Sequence, residues 1–309
     1  MHEEFGVPKT RDERIDHLVH LYVDGAYTRR QLIRRLARFT GGAAAATTLL
    51  ASRGLAQSGA PCPDNVRVPE DAEDIQCYNV QYPGKAGILY GLLTQPNPLV
   101  KALPAILVIH ENRGLTDHIR DVTRRVARAG FIGLGIDLLS RQGGSHNFAN
   151  DTLRGQAYGR TVTAERLEDM LSSIDYLKSE GFVLPDRIGA VGFCAGGGNV
   201  FLLALNSPDL AAGVPYYGTP PNPLPSVADM KAALLCIFSE TDRNQNARIP
   251  ELVSALVAQR KTFGLHLYPG SGHGFHNDTG SVYNAEAACD AWAKTMSFFH
   301  KQLDKPDPA

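Results

Sequence analysis

The chain has 309 residues, of which 43% are hydrophobic and 20% charged, with five cysteines and a formal net charge of −1. This composition excludes a disordered, collagenous or coiled-coil chain. The near-zero charge excludes a general nucleic-acid binder, which needs a Lys/Arg excess to meet phosphates. Five cysteines are too sparse for a disulfide scaffold, and the odd count leaves at least one thiol unpaired within the monomer.

The charge is unevenly spread. Residues 1–56 hold nine Lys/Arg against six Asp/Glu, whereas the rest of the chain holds 22 against 26. Tyr27–Arg38 contains five arginines within ten residues, followed by the small-residue apolar run Phe39–Ala51 and the small-x-small site Gly54-Leu55-Ala56. A charged region, a short apolar run and small residues before a cleavage point make an export signal. Thr28-Arg29-Arg30-Gln31-Leu32-Ile33 is of the twin-arginine type. Residues 1–56 are therefore expected to address the protein to the periplasm or the outside, with export machinery as a partner. The competing reading is a cytoplasmic protein that keeps an amphipathic helix over 11–38 (Ile15, Leu18, Val19, Leu21, Tyr22, Leu32, Ile33, Leu36) for docking. The apolar run falls short of the roughly 20 residues a membrane span needs. Pro61, Pro63 and Pro69 mark 57–73 as a linker, leaving 74–309 as the catalytic body.

From there strands and helices alternate. Tyr78–Tyr82 and Ile88–Thr94 flank the turn Pro83-Gly84-Lys85 and are predicted to pair antiparallel. Pro104–His110 is a continuous apolar run, the pattern of a strand buried on both faces. A helix over Thr116–Ala129, a buried strand over Phe131–Asp137 and a polar, glycine-rich excursion over 140–160 follow. Next come a helix over Thr161–Glu180, a strand over Arg187–Gly192 and a helix over Gly197–Asn206. Strands over Ala211–Tyr217 and Ala233–Ser239, a helix over Ile249–Thr262, a strand over Leu265–Tyr268 and a helix over Val282–Leu303 complete the body. Such alternation predicts an α/β fold with a mainly parallel sheet and helices on both faces, its reacting groups on loops at the carboxyl ends of the strands.

Gly192-Phe193-Cys194-Ala195-Gly196 lies directly between a predicted strand and a predicted helix. A G-x-nucleophile-x-G turn there needs glycines because the chain reverses so sharply that a Cβ would clash. The helix N-terminus favours a thiolate, and the Ala195 N–H becomes an oxyanion donor. The alternative is a small buried cysteine among packing glycines. The segment matches neither G-x-G-x-x-G nor a P-loop, so no nucleotide cofactor is expected. A cysteine nucleophile needs a base and the base an orienting acid. Asp242 and His273 each follow a predicted strand, in the nucleophile–acid–His order of α/β-hydrolases, with Glu240 as the rival acid and His266 or His276 as rival bases. His110-Glu111-Asn112-Arg113-Gly114 fails the H-e-x-x-H pattern at Gly114, and no other cluster has metal-ligand spacing, so no metal is expected. In an α/β-hydrolase this loop supplies the second oxyanion N–H, here that of Asn112.

Together, Gly-Phe-Cys-Ala-Gly-Gly, His-Glu-x-x-Gly-Leu, Asp137–Gln142, Tyr216-Tyr217-Gly218 and Gly-x-Gly-His273-Gly-Phe275 resemble the dienelactone hydrolase (carboxymethylenebutenolidase-like) family over residues 76–303. The resemblance implies an α/β-hydrolase with Cys194, Asp242 and His273 as its triad, and Glu111 contacting the resting thiol. It also implies that Arg154, Tyr158 and Tyr217 bind substrate. A second carboxylate-binding arginine of the family falls at Asn277 here. One carboxylate contact is thus missing, and an ester or lactone of another shape than dienelactone is the expected substrate.

The chemistry expected is acyl transfer through an acyl-thioenzyme, without cofactor. A non-catalytic binding module on a hydrolase shell and a thiol-redox protein are the alternatives, the latter lacking any C-x-x-C. Among the remaining cysteines, Cys236 and Cys289 are expected in the core, and Cys62 and Cys77 could pair after export.

Overall fold

The computed structural model describes residues 67–304 except 225 and 226, together with 10, 11, 14, 15, 18, 29–42, 45, 46, 48 and 49. The chain divides into two compact units, 1–63 and 64–309. In the first, α1 (Arg29–Thr40) buries Leu32 and Leu36 with Ile15 and Ala46 while Arg34, Arg35 and Arg38 stay exposed. Hydrophobic side chains four apart on a helix share one face, which gives this helix its buried stripe. The proposed cleavage site 54–56 and most of the linker, 57–66, lie outside the described residues. No described helix is long and apolar enough to cross a membrane.

The second unit is built on an eight-stranded sheet in the order β1-β2-β4-β3-β5-β6-β7-β8. β1 (Ile75–Gly84) and β2 (Gly87–Pro96) form the expected antiparallel hairpin, longer than its apolar residues alone indicated, with Gly84 opposite Gly87. β2 runs antiparallel to β4 (Ile132–Ile136). From there β3 (Leu103–Ile109), β5 (Val183–Phe193), β6 (Leu210–Tyr216), β7 (Ala233–Ser239) and β8 (Phe263–Tyr268) are all parallel. β3, β4 and β7 are buried on both faces, or nearly so, because helices cover the sheet on each side. One side carries α4 (Thr163–Ser179), α5 (Ala195–Asn206) and α7 (Ile249–Ala258), which bring Met170, Ile174, Leu203 and Leu252 to the first core. The other carries α2 (Asp117–Arg128) and α8 (Ala285–Leu303), which bring Ile119, Val122, Trp292 and Phe299 to the second. α6 (Arg243–Asn246) is a single turn after β7.

Four expectations need amendment. The polar, glycine-rich 140–160 excursion contains regular elements that the sequence reading did not assign: two short 3₁₀ turns and the helix α3 (Asp151–Gly159), whose Leu153 N–H is capped by Asn150 Oδ1 at 3.0 Å. Polarity hid the organisation, because the segment folds around a buried acid rather than an apolar stripe. Asp137 accepts from Ser145 N–H (2.6 Å), Ser145 Oγ–H (2.7 Å) and Leu139 N–H (3.0 Å). Second, the end of the stretch read as linker is fastened to the body. Val68 is buried, its N–H donates to Asp121 Oδ1 (2.7 Å), and Arg67 Nε–H donates to Asp278 Oδ2 (2.7 Å). Third, Cys77 is a free thiol, so it does not pair with Cys62, which lies outside the described residues. Fourth, Cys289 is disulfide-bonded and only half-buried on α8, not a core thiol. Cys236 is the core cysteine, its thiol pushed up to about 12 by burial and so inert at neutral pH.

Candidate active site

The carboxyl ends of β3, β5, β6, β7 and β8 meet around Cys194. Cys194 sits between β5 and α5 with φ +55° and ψ −114°, a strained conformation for a residue with a Cβ. It is held there by its N–H, which donates to the Tyr216 carbonyl (3.1 Å), and by its carbonyl, which accepts from Gly198 N–H (3.2 Å). The reversal works because the flanking glycines let backbones touch. A Cβ on Gly192 would stand 2.2 Å from the Gly196 carbonyl oxygen, and one on Gly196 would stand 2.2 Å from the Ile109 carbonyl oxygen. Sequence, local strain and position are thus linked: the glycines permit the turn, and the turn lifts the thiol to the end of the sheet.

His273, on the loop after β8, brings Nε2 to 2.9 Å from Cys194 Sγ and donates Nδ1–H to Asp242 Oδ2 at 2.6 Å. Ser239 Oγ–H donates to the same carboxylate oxygen at 3.0 Å, fixing Asp242 from the end of β7. The rivals are placed elsewhere. Glu240 accepts from Gly270 N–H (2.7 Å), His266 lies on β8, and His276 is buried between Phe193 and Trp292 without a hydrogen-bond partner. Burial holds His276 well below the ordinary histidine value, so it is neutral.

The hydrogen bond to Cys194, with the charges of Cys194 and Asp242, raises His273 to about 9 against the opposing effect of burial. His273 is therefore an imidazolium at neutral pH. A histidine raised in the fold from its unfolded value of about 6.5 contributes stability that is complete below that value and lost as pH rises through the folded one. The melting temperature of the protein relative to a His273→Gln variant is accordingly expected to narrow between pH 6 and pH 9.5. A gap that stays constant across that range would contradict the raised value.

A cleft of about 460 Å³ opens over the thiol, lined by Asn112, Tyr158, Arg166, Ala195, Tyr217 and His273 among others. Asn112 and Ala195, the expected oxyanion donors, both face it. The loop bearing Asn112 is set by His110, which sequence reading placed in a failed metal motif and in the family motif without giving it a role of its own. His110 is fully buried, accepts Leu138 N–H at Nε2 (3.0 Å) and makes a short contact to the Glu111 carbonyl from Nδ1. Burial lowers its pKa, so a neutral imidazole with one donor and one acceptor serves both partners. Glu111 accepts Asn277 Nδ2–H at 2.9 Å, whereas the hydrogen bond formed by the Cys194 thiol is to His273. Both Glu111 and Cys194 are close enough to raise the Tyr217 hydroxyl, whose pKa burial already pushes well above its ordinary value.

Of the expected substrate contacts, Tyr158 and Tyr217 line this cleft, and Arg154 does not. Arg154 is tied to the Ser145 carbonyl (3.1 Å) and Asp151 (3.0 Å) and lines a separate cavity of about 530 Å³ with Arg120 and His146. The arginine in the cleft is Arg166 of α4, which no motif indicated. No group of His, Cys, Asp and Glu suited to a metal occurs among the described residues.

The sequence profile of the Dienelactone hydrolase family matches residues 89–303. The chain belongs to this family. A relative from Methylorubrum extorquens named as a carboxymethylenebutenolidase is 30% identical over 266 residues, which cover 80% of this chain and 89% of that one. A Bradyrhizobium sp. protein named as a 2-oxo-3-(5-oxofuran-2-ylidene)propanoate lactonase is 30% identical over 218 residues, covering 65% of this chain and 85% of its own. In structure, a Klebsiella pneumoniae protein described as a dienelactone hydrolase aligns with a TM-score of 0.67 at 24% identity, over 74% of this chain and 99% of that chain. The fold is the α/β-hydrolase fold, and by homology the chain is a carboxymethylenebutenolidase- and lactonase-like hydrolase.

Proposed function

We propose that the protein cleaves a small ester or lactone through a Cys194–His273–Asp242 triad and an acyl-thioenzyme. The observation that carries this reading is the unbroken line from Cys194 Sγ through both ring nitrogens of His273 to Asp242, centred on a strained strand-to-helix turn. In the first step the Cys194 thiolate adds to the substrate carbonyl carbon. The oxyanion formed is met by the N–H groups of Ala195 and Asn112. His273, already an imidazolium, gives its Nε2 proton to the leaving alkoxide as the carbon–oxygen bond breaks. Neutral His273 then takes a proton from water, hydroxide adds to the thioester carbonyl, and the thiolate leaves. Asp242 keeps the imidazole oriented throughout. Glu111 stands beside this path, held by its contact with Asn277 rather than by the thiol. The good leaving ability of a thiolate suits activated esters and lactones better than amides.

Export through the twin-arginine-type signal is part of the same proposal. The disulfide at Cys289 supports it, since disulfides persist in oxidising compartments.

Mass spectrometry tests both halves. Acid-quenched turnover of p-nitrophenyl acetate is expected to leave an acetyl group on the Cys194 peptide, and protein from its native host is expected to begin at or beyond residue 57. Turnover without acyl-Cys194 overturns the mechanism. An intact Met1 on soluble cytosolic protein overturns export.

A further inference from the structure

Two proton acceptors stand near the Cys194 thiol. One is His273 Nε2, at 2.9 Å. The other is the Glu111 carboxylate: the buried Tyr217 hydroxyl, which has no hydrogen-bond partner, is within electrostatic reach of both Glu111 and Cys194. The remaining titratable groups that face the thiol are already engaged. Asp242, after β7, is taken up by the far nitrogen of the His273 ring. Tyr158 on α3 accepts from Asn199, and Arg166 on α4 donates to Asn199, Thr161 and Thr163. Glu111, on the loop after β3, is therefore the one carboxylate among them able to compete with His273 for the thiol proton.

Asn277 decides between the two acceptors. Its Nδ2–H donates to Glu111 Oε2 at 2.9 Å, the one hydrogen bond of that carboxylate among the described residues. The amide is fixed in this orientation, because its Oδ1 accepts both the N–H (3.0 Å) and the hydroxyl (2.6 Å) of Thr279. With the oxygen so engaged, the nitrogen end is left for Glu111. The backbone is tied as well: Asn277 N–H donates to the Gly274 carbonyl (2.9 Å), and its own carbonyl accepts from Gly280 N–H (3.0 Å). On either side the turn is anchored in the body. The His276 ring is buried between Phe193 and Trp292, and Asp278 accepts from Arg67 (2.7 Å), Arg125 (3.2 Å) and His118 (3.3 Å). A carboxylate held in this way gains a charge-assisted hydrogen bond. One set free beside the thiol would disfavour the thiolate by its like charge.

We propose that Asn277 is a positioning residue that holds Glu111 off the thiol, so that Cys194 passes its proton to His273 before any substrate is bound. The step is a proton transfer alone: the Sγ–H bond breaks, the Nε2–H bond forms, and the sulfur keeps the electron pair. The nucleophile of this chain is therefore ready at rest, and no substrate group is needed to displace Glu111. This rests on the hydrolase reading above and deepens its first step. The test is alkylation of the free, full-length protein by iodoacetamide, followed by mass spectrometry on the Cys194 peptide. Asn277→Asp keeps the shape of the side chain and the acceptor for Thr279 but turns a second carboxylate on Glu111. It is expected to slow alkylation tenfold or more at pH 6.5 and to match wild type within twofold at pH 9.5, where the thiol is ionised in both. Asn277→Asp combined with Glu111→Gln exchanges amide and carboxylate, restores their hydrogen bond and is expected to recover the pH 6.5 rate to within threefold. An Asn277→Asp rate equal to wild type at pH 6.5 overturns the proposal. So does slowing of the same size at both pH values, the mark of a merely structural role, or a double variant that stays slow. Failure of the hydrolase reading looks different: p-nitrophenyl acetate would then leave no acetyl group on Cys194, whatever the alkylation rates.

Discussion

Cys194→Ala is expected to lower kcat/KM for ester substrates by about 10⁴-fold or more, the scale seen when the nucleophile of a concerted triad is removed. The variant keeps the Cβ that the +55° backbone already accommodates, so its melting temperature is expected to stay close to wild type. Cys194→Ser should retain a small residual rate, because a hydroxyl in the same place depends wholly on His273 for deprotonation, whereas the thiol already shares its proton with that ring. Steady-state turnover of p-nitrophenyl acetate separates the three proteins. Undiminished hydrolysis by Cys194→Ala would remove Cys194 from the mechanism and return the fold to a binding role.

Gly196→Ala is expected to act on the fold as strongly as Cys194→Ala acts on the rate. Its Cβ would stand 2.2 Å from the Ile109 carbonyl oxygen and 2.6 Å from that of His110, both backbone atoms. They cannot retreat cheaply, because β3 is hydrogen-bonded to β4 on one side and β5 on the other. The cost is expected at about 4 kcal/mol or more, in the range of severe core overpacking. At this chain length that corresponds to a fall in melting temperature of roughly 10 °C. Gly198→Ala, two positions on in the same helix, meets nothing closer than the Thr219 carbonyl oxygen at 3.6 Å. It is expected to melt close to wild type. Thermal denaturation of the pair checks this; equal melting of both variants would show that the elbow tolerates a side chain.

The strands of the body could be read from the sequence because burial on both faces writes itself as unbroken apolar runs. Ala233–Ser239 is the clearest case, with the predicted and observed limits identical. The hairpin of β1 and β2 was placed by its turn but underestimated in length, since its edge residues are polar and hydrogen bonding rather than burial extends it. α3 escaped detection because Asp137 and Asn150 organise that region through hydrogen bonds, which leave no periodic trace. In the candidate site the residues with local punctuation were legible: glycines around Cys194, and strand ends before Asp242 and His273. Ser239, His110 and Asn199 were not, because each acts through a partner distant in sequence. Arg166 lies on an amphipathic helix where any arginine reads as a solvated face, and its place in the cleft lining and its hydrogen bond to Asn199 of α5 become visible only in the folded chain.

Because the nucleophile lies on the middle strand while its acid and base follow the last two, the site is completed only by contacts far apart along the chain. Cys194 and His273 are separated by 79 positions, and Glu111 and Asn277 by 166. Closing such long loops costs entropy before any contact repays it, so contacts of this span form late and slowly. During synthesis the thiol therefore emerges well before the histidine that activates it and the amide that positions Glu111. Until β8 docks against β7, residue 194 is an ordinary cysteine in an unfinished sheet. Thiol reactivity in this protein therefore depends on a contact that exists only once β8 is paired with β7.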